Sequence, residues 1–227
     1  MAEWRRYAVY AAPGGALAEA AHGWLGWDAY TGQPRPHPDV GSLPRPLADL
    51  TEAPRKYGFH ATLKAPFRLA PGADGAALDW AVAALAARLA PAEAPGLRLA
   101  EVEGFLALIP EGDGAALSAL AARAVEGLDV FRAPLTPDEV ARRRPDRLSA
   151  RQRVLLDRWG YPYVMEEFAF HLTLTGSLRP GEAAPVMAAL RGYLPLLPQP
   201  FTVDALALFG EAEDGRFHLL SRHPLTG

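Results

Sequence analysis

Two short segments of this chain read almost alike, and together they restrict both its fold and its chemistry. One is Tyr57-Gly58-Phe59-His60-Ala61-Thr62-Leu63-Lys64, and the other is Phe168-Ala169-Phe170-His171-Leu172-Thr173-Leu174-Thr175. Each carries an aromatic residue, His, any residue, Thr and Leu in succession. In a strand, alternate side chains share a face. Read so, His60, Thr62 and Lys64 point one way and Phe59, Ala61 and Leu63 the other. His171, Thr173 and Thr175 likewise share a face opposite Phe170, Leu172 and Leu174. Each segment then offers a polar His/Thr edge backed by an apolar face that can pack under helices.

The rest of the chain narrows what such a pair can serve. At 227 residues it suits one large domain or one domain with two lobes. Half the residues are apolar, enough for a packed core, and the formal net charge is −3. An acidic chain without Lys/Arg runs is a poor binder of long duplex nucleic acid, whereas a local donor cluster suffices for a small phosphate. With no cysteine, disulfides, thiolate metal sites and thiol nucleophiles are excluded, which fits a cytoplasmic location. Residues 1–10 carry Arg5 and Arg6 with no apolar run behind them, so no signal peptide is expected. No stretch approaches the ~20 apolar residues of a membrane span.

Along the chain, Arg6 to Ala12 reads as a strand and Ala16 to Trp27 as a helix. Thr31 to Arg55, with six prolines, reads as a long loop, either functional or a loose connector. The first His strand spans about Lys56 to Leu69, with Pro66 implying an edge or a bulge. A helix capped by Asp74 runs to Ala90, followed by strands Leu97 to Glu103 and Phe105 to Pro110 and a helix from Ala115 to Leu128. Residues 134–162 form an Arg-rich helical insertion, with Thr136-Pro137-Asp138-Glu139 as one helix start and Leu148 to Trp159 as the second helix. The second His strand spans about Glu167 to Leu178. A helix from Ala183 to Tyr193 and strands Phe201 to Gly210 and Phe217 to Arg222 complete the chain.

The order of elements around the His strands repeats. A strand, a Gly-rich turn and a helix precede each; a helix and two strands follow each. This predicts one α+β domain over residues 1–227, built from duplicated β-α-β units as two pseudo-symmetric lobes with a cleft between them.

Paired imidazoles suit phosphodiester chemistry. A neutral His takes a proton from water and a protonated His gives one to the leaving oxygen, each worth about 10²–10⁴-fold. Thr hydroxyls two residues on can donate to the non-bridging oxygens. A metal site built from His60, His171 and Glu166 or Glu167 lacks a clustered ligand spacing, so neither metal nor cofactor is expected.

His60-Ala61-Thr62-Leu63 and His171-Leu172-Thr173-Leu174 resemble the paired His-x-Thr/Ser motifs of the 2H phosphoesterase superfamily. The flanks Lys56-Tyr57-Gly58-Phe59, Arg158-Trp159-Gly160-Tyr161-Pro162-Tyr163 and Thr175 are similar to its DUF1045-like branch, uncharacterised proteins often encoded beside phosphonate-degradation genes. The resemblance implies antiparallel sheets facing a central cleft with helices outside, as in LigT-like proteins. It implies a cyclic phosphodiesterase with His60 and His171 as the acid–base pair and Thr62 and Thr173 on the phosphate. Superfamily substrates include 2′,3′-cyclic nucleotides, cyclic phosphates of ribose derivatives and RNA ends. Carbon–phosphorus bond cleavage in phosphonate breakdown yields a ribosyl 1,2-cyclic phosphate, the first compound class to test.

Several further readings stay open in the sequence. Lys64 either adds a charge beside His60 or is a solvated strand-end lysine. Tyr57, Tyr161 and Tyr163 either stack on a sugar or base or are half-buried packing rings. The arginines from Arg142 to Arg158 either grip a second phosphate or form a solvated face paired with Asp146 and Asp157. His22, His37 and His223 read as surface residues and His218 as a core residue. The expected partner is a small phosphorylated ligand, with an RNA terminus (hydrolysis or 2′–5′ ligation) and a non-catalytic phosphate sensor as alternatives. No membrane partner is expected, and the protein is expected to be a monomer.

Overall fold

In the computed structural model, which describes residues 4–227, the elements follow a mixed α+β order. The leader reading of residues 1–10 falls partly outside that range. β1 (Tyr7–Ala11), α1 (Gly15–Leu25), β2 (Trp27–Asp28), β3 (Gln33–Pro34), α2 (Leu47–Leu50), α3 (Glu52–Arg55), β4 (Ala61–Phe67) and α4 (Gly75–Ala86) come first. β5 (Ala92–Ala94), β6 (Leu97–Val102), β7 (Phe105–Pro110), α5 (Ala115–Gly127), α6 (Pro137–Arg142) and α7 (Ala150–Trp159) follow. β8 (Leu172–Thr173), α8 (Ala183–Tyr193), β9 (Phe201–Val203), β10 (Ala205–Glu211) and β11 (Phe217–Pro224) close the chain.

Local chemistry explains many of these boundaries. α1 stops at Gly26, whose left-handed conformation lets its N–H reach the last carbonyls of the helix. The Asp74 side chain accepts from the Ala77 N–H at 2.7 Å and starts α4. Thr136 and Ser149 each form a reciprocal capping box, with Glu139 and Gln152 respectively, so both inserted helices begin where their caps dictate. Between β6 and β7 the two-residue turn Glu103-Gly104 has φ of 47° and 83°, the twist that closes a tight hairpin.

Two sheets carry the architecture. One has the strand order β11-β10-β1-β4 and the other β6-β7-β8, with every pair antiparallel. The strands that follow the His60 segment cross to the second sheet, and those that follow the His171 segment return to the first. β10-β1-β4 and β6-β7-β8 therefore have matching order and pairing, with β11 the added strand. β5 and β9, the short strands preceding β6 and β10, pair antiparallel with each other, Glu93 opposite Thr202. In the sheets Phe105 thus opens a strand equivalent to β1.

One continuous core lies beneath both sheets, with Val9, Leu63, Phe67, Leu206 and Leu208 from the first and Leu106, Leu108, Leu172 and Leu174 from the second. The other face of β1 is also covered, because Tyr10 packs in a second cluster with Phe209, Phe217 and Trp27. The insertion packs onto the body through a small separate cluster, Leu155 of α7 with Val125 of α5 and Val164.

The sequence expectations need several corrections. Regular pairing in the first His segment begins at Ala61, one residue after His60, and in the second it covers Leu172–Thr173 alone. The second ladder is cut short because the Thr175 hydroxyl takes the Leu106 N–H at 2.9 Å while the Leu174 N–H and Thr175 N–H share the Leu106 carbonyl. Helix α1 ends two residues before Trp27. Residues 31–55 are not a loose connector: α2 and α3 bury Leu47, Leu50 and Thr51, and Arg55 ties back to the Leu25 carbonyl, the Ala48 carbonyl and the Thr51 hydroxyl. His22 is 1% exposed and faces Asp28 at 3.4 Å. His37 binds the Trp24 carbonyl, and His223 binds Asp79.

Candidate active site

A cleft of about 820 Å³ opens at the two His segments. His60, Thr62, Thr173, Tyr57 and Tyr161 all line it, so residues more than 110 positions apart in the chain meet there. His171 does not wall the cavity itself. It sits beside Phe105, which does, at 5.6 Å between ring centroids, and its charge is felt at His60.

Both imidazoles are oriented by the same local device. His60 Nδ1 lies 3.0 Å from the Gly58 carbonyl and His171 Nδ1 lies 2.8 Å from the Ala169 carbonyl. A carbonyl only accepts, so each Nδ1 carries the proton and each neutral ring presents a lone pair at Nε2. His60 Nε2 accepts from the Thr62 hydroxyl at 3.2 Å. Gly58 makes this possible at His60. Its φ is +75°, and a Cβ there would stand 2.4 Å from the Ala29 Cβ, so only glycine holds that carbonyl in place without strain.

The two rings differ in their surroundings. Tyr10 stacks on His60 at 3.7 Å with 25° between planes. Burial drives the His60 pKa down to about 4, against the raising effect of the Gly58 carbonyl and with a smaller lowering by His171. His60 is therefore neutral near pH 7. The Tyr10 hydroxyl is buried without a hydrogen-bond partner among the described residues, and burial pushes its pKa well up.

Lys64 is not brought into the cleft. Tyr10 pairs with Thr62 but Val9 pairs with Lys64, so Leu63 is an extra residue on β4. This bulge breaks the alternation and turns the lysine away from the His60 face. Lys64 is 3% exposed, and its ammonium donates to Asp129 and to the Val125 carbonyl, both at 3.1 Å. Burial lowers its pKa to about 8, against the pull of Asp129. Tyr163 also stands outside: it is 45% exposed and meets the edge of Tyr161 at 5.6 Å. Thr175 is spent on the Leu106 N–H.

The arginines of the insertion divide. Arg142 and Arg143 reach the cleft, with Arg143 lying 4.8 Å over the Tyr161 ring. Arg151 pairs with Glu166, Arg153 donates to the Leu148 carbonyl at 2.8 Å, and Arg158 lies over Trp159. Cleft residues that sequence reasoning passes over are Tyr10, Lys56, and two fixed ion pairs. Arg6 meets Glu211 at 2.5 and 2.7 Å, and Arg68 meets Glu139 at 3.0 and 2.8 Å. The Arg68 bonds push the Glu139 pKa down to about 2. No local signal marks these pairs, whose partners lie far apart in the chain. Among the described residues no group of three or more His, Asp or Glu is arranged to hold a metal ion, and no helix is long and apolar enough to cross a membrane.

Comparison with known proteins places the chain. The model of a family described as a protein of unknown function, DUF1045, matches residues 62–218. The ribose 1,5-bisphosphate phosphokinase PhnN of Janthinobacterium sp. (strain Marseille) is 37% identical over 231 residues, covering 98% of this chain and 51% of that protein. The protein of the same name from Laribacter hongkongensis (strain HLHK9) is 40% identical over 222 residues, covering 96% of this chain and 51% of its own length. The chain thus spans about half the length of the curated relatives it matches. Among solved structures, TT0787 of Thermus thermophilus aligns with a TM-score of 0.46 at 18% identity over 98% of both chains. E. coli LigT complexed with 3′-AMP aligns at 0.43 and 16% over 99% of this chain and all of that one. With its family model matched over more than half its length, the chain belongs to the DUF1045 family.

Proposed function

We propose that this protein is a phosphoesterase that opens a small ribose-based cyclic phosphate by two-histidine acid–base catalysis, without a metal. The observation that carries the reading is the repeated orientation of the two imidazoles. Each Nδ1–H is fixed on a backbone carbonyl two residues earlier, leaving each Nε2 to move a proton. The likeness of both motifs to those of the 2H phosphoesterases supports it, as does the matched sheet order around them, which we read as a duplication into two lobes.

The neutral state of His60 suits it to be the base. Its Nε2 takes a proton from water as the water oxygen bonds to phosphorus. The phosphorus–oxygen bond to one ribose oxygen breaks, and His171, protonated at Nε2, gives that oxygen its proton. The product is a phosphomonoester. On ligand binding the Thr62 hydroxyl turns from His60 Nε2, freeing it for water, and with Thr173 donates to the non-bridging oxygens, where charge grows in the transition state. Tyr57 and Tyr161 flank the sugar or base. A ribose phosphate is favoured by the match to relatives named for ribose 1,5-bisphosphate, and a link to phosphonate breakdown rests on the resemblance alone.

The test is a screen of purified protein against ribose 1,2-cyclic phosphate, 2′,3′-cyclic nucleotides and an oligonucleotide ending in a 2′,3′-cyclic phosphate, in the presence of chelator. Turnover lost in both His60→Ala and His171→Ala is expected. Turnover that survives both substitutions, or that needs a divalent ion, would contradict the mechanism. Binding of these compounds with no turnover of any would favour a sensor.

A further inference from the structure

The cleft holds more positive charge than one phosphodiester requires. Arg5, Arg6, Lys56, Arg68, Arg142 and Arg143 line it, against Glu139 and Glu211. Glu211 is bound to Arg6 and Glu139 to Arg68, each through two hydrogen bonds. The other four cations have no carboxylate partner among the described residues. A chain of net charge −3 does not collect such a cluster through basic composition.

Two of the four are ordered against the cleft walls. Lys56 Nζ lies 4.8 Å over Tyr57, and the Arg143 guanidinium lies 4.8 Å over Tyr161. Arg142 ends α6, and Arg143 follows it. That helix is fastened by its capping box and by the Glu139–Arg68 pair, Arg68 being the residue after β4. The insertion thus delivers two guanidinium groups to a fixed place. The Tyr10 hydroxyl, without a hydrogen-bond partner among the described residues, adds a donor at the cleft, and its electrostatic neighbours are Tyr57, Arg6, Tyr161 and Glu211, all of which line the cleft.

A cyclic phosphodiester carries a single negative charge near pH 7, and the His/Thr quartet accounts for it. We propose that the ligand carries a second phosphate, a terminal monoester separate from the reacting group, held by Arg142, Arg143 and Lys56. The inference rests on the phosphodiesterase reading for the placement of the first phosphate. It makes the insertion a specificity device, selecting bisphosphorylated over monophosphorylated ribose compounds.

The test measures binding, so that an absence of hydrolysis counts against the phosphodiesterase reading and leaves this subsite standing. Adenosine 3′-monophosphate and adenosine 3′,5′-bisphosphate are titrated calorimetrically into the full chain at fixed ionic strength. The bisphosphate is expected to bind roughly ten- to a hundredfold more tightly, the range for added charge-assisted hydrogen bonds. In an Arg142→Ala/Arg143→Ala variant that preference collapses, while the monophosphate affinity, which also reports that the variant is folded, stays unchanged. Equal affinities in the unaltered protein, or a preference that survives the double substitution, would overturn the proposal.

Discussion

The two His-x-Thr segments start from the same five-residue pattern and end in different environments. Each lies on the edge strand of its sheet, next to β1 in one case and β7 in the other. The residue opposite Thr62 on β1 is Tyr10, and the residue opposite Thr173 on β7 is Ala107. That one difference puts a ring over His60 and none from the equivalent position beside His171. Such a stack is worth about 0.5–1.5 kcal/mol. Burial then makes protonation of His60 costly, and its pKa falls to about 4. Two segments of one sequence pattern thus hold their imidazoles in different surroundings, and burial keeps His60 neutral near pH 7, the state the proposed base requires.

The histidines carry the largest expected effect. His60→Ala and His171→Ala are each expected to lower kcat by about 10²–10⁴-fold while the fold persists, as circular dichroism would show. Unequal losses with one variant near wild type would mean that a single His does the work.

Tyr10→Ala removes the difference between the two halves. As the proposed base His60 must be neutral, and kcat/KM reports the free enzyme, so activity is expected to fall as pH drops through the His60 pKa. With the ring gone that midpoint is expected to rise from about 4 toward the ordinary 6.5, read from a pH–rate profile. An unmoved profile would detach the pKa from Tyr10. The stability consequence has the same sign. A His whose folded pKa is depressed stabilises the fold above about pH 6.5, and that contribution is lost as pH falls toward 4.

Lys64→Met separates packing from binding. Loss of a buried ammonium beside Asp129 is expected to cost about 2 kcal/mol in denaturant unfolding, less than a fully orphaned charge because Arg132 still holds Asp129 at 2.8 Å. KM should stay unchanged; a raised KM at full stability would return Lys64 to the site. Smallest of all, Tyr163→Ala should leave stability and substrate affinity within about 0.5 kcal/mol, as expected for an exposed ring outside the cleft.

How far the sequence carries is clear from particular residues. His60, Thr62 and Thr173 are readable because aromatic-His-x-Thr-Leu is a local pattern repeated within a repeated order of elements. The helix starts at Asp74 and Thr136 are legible because caps are local too. Lys64 escapes such reading because period-two reasoning assumes an unbroken ladder, and the extra Leu63 breaks it. The second His strand is shorter than its pattern implies because nothing local says that the Thr175 hydroxyl will replace a backbone acceptor. In sequence Tyr10 is one more strand residue; only the packing of Phe209 and His60 against it gives it a role. Arg6–Glu211 and Arg68–Glu139 depend on chain crossings between the sheets and on the docking of the insertion, which no window of sequence contains.

In the proposed mechanism His60 and His171 act on one bound phosphate, with His60 held neutral near pH 7 by burial. Nitrogen-detected NMR of the imidazoles during titration with inorganic phosphate near pH 7 tests this directly. Both rings are expected to begin with Nδ1 protonated where neutral, His60 to show no imidazolium before phosphate is added, and the Nε2 signals of both to shift along a single binding curve. Response of only one ring, two distinct dissociation constants, or a His60 already charged near pH 7 would contradict it.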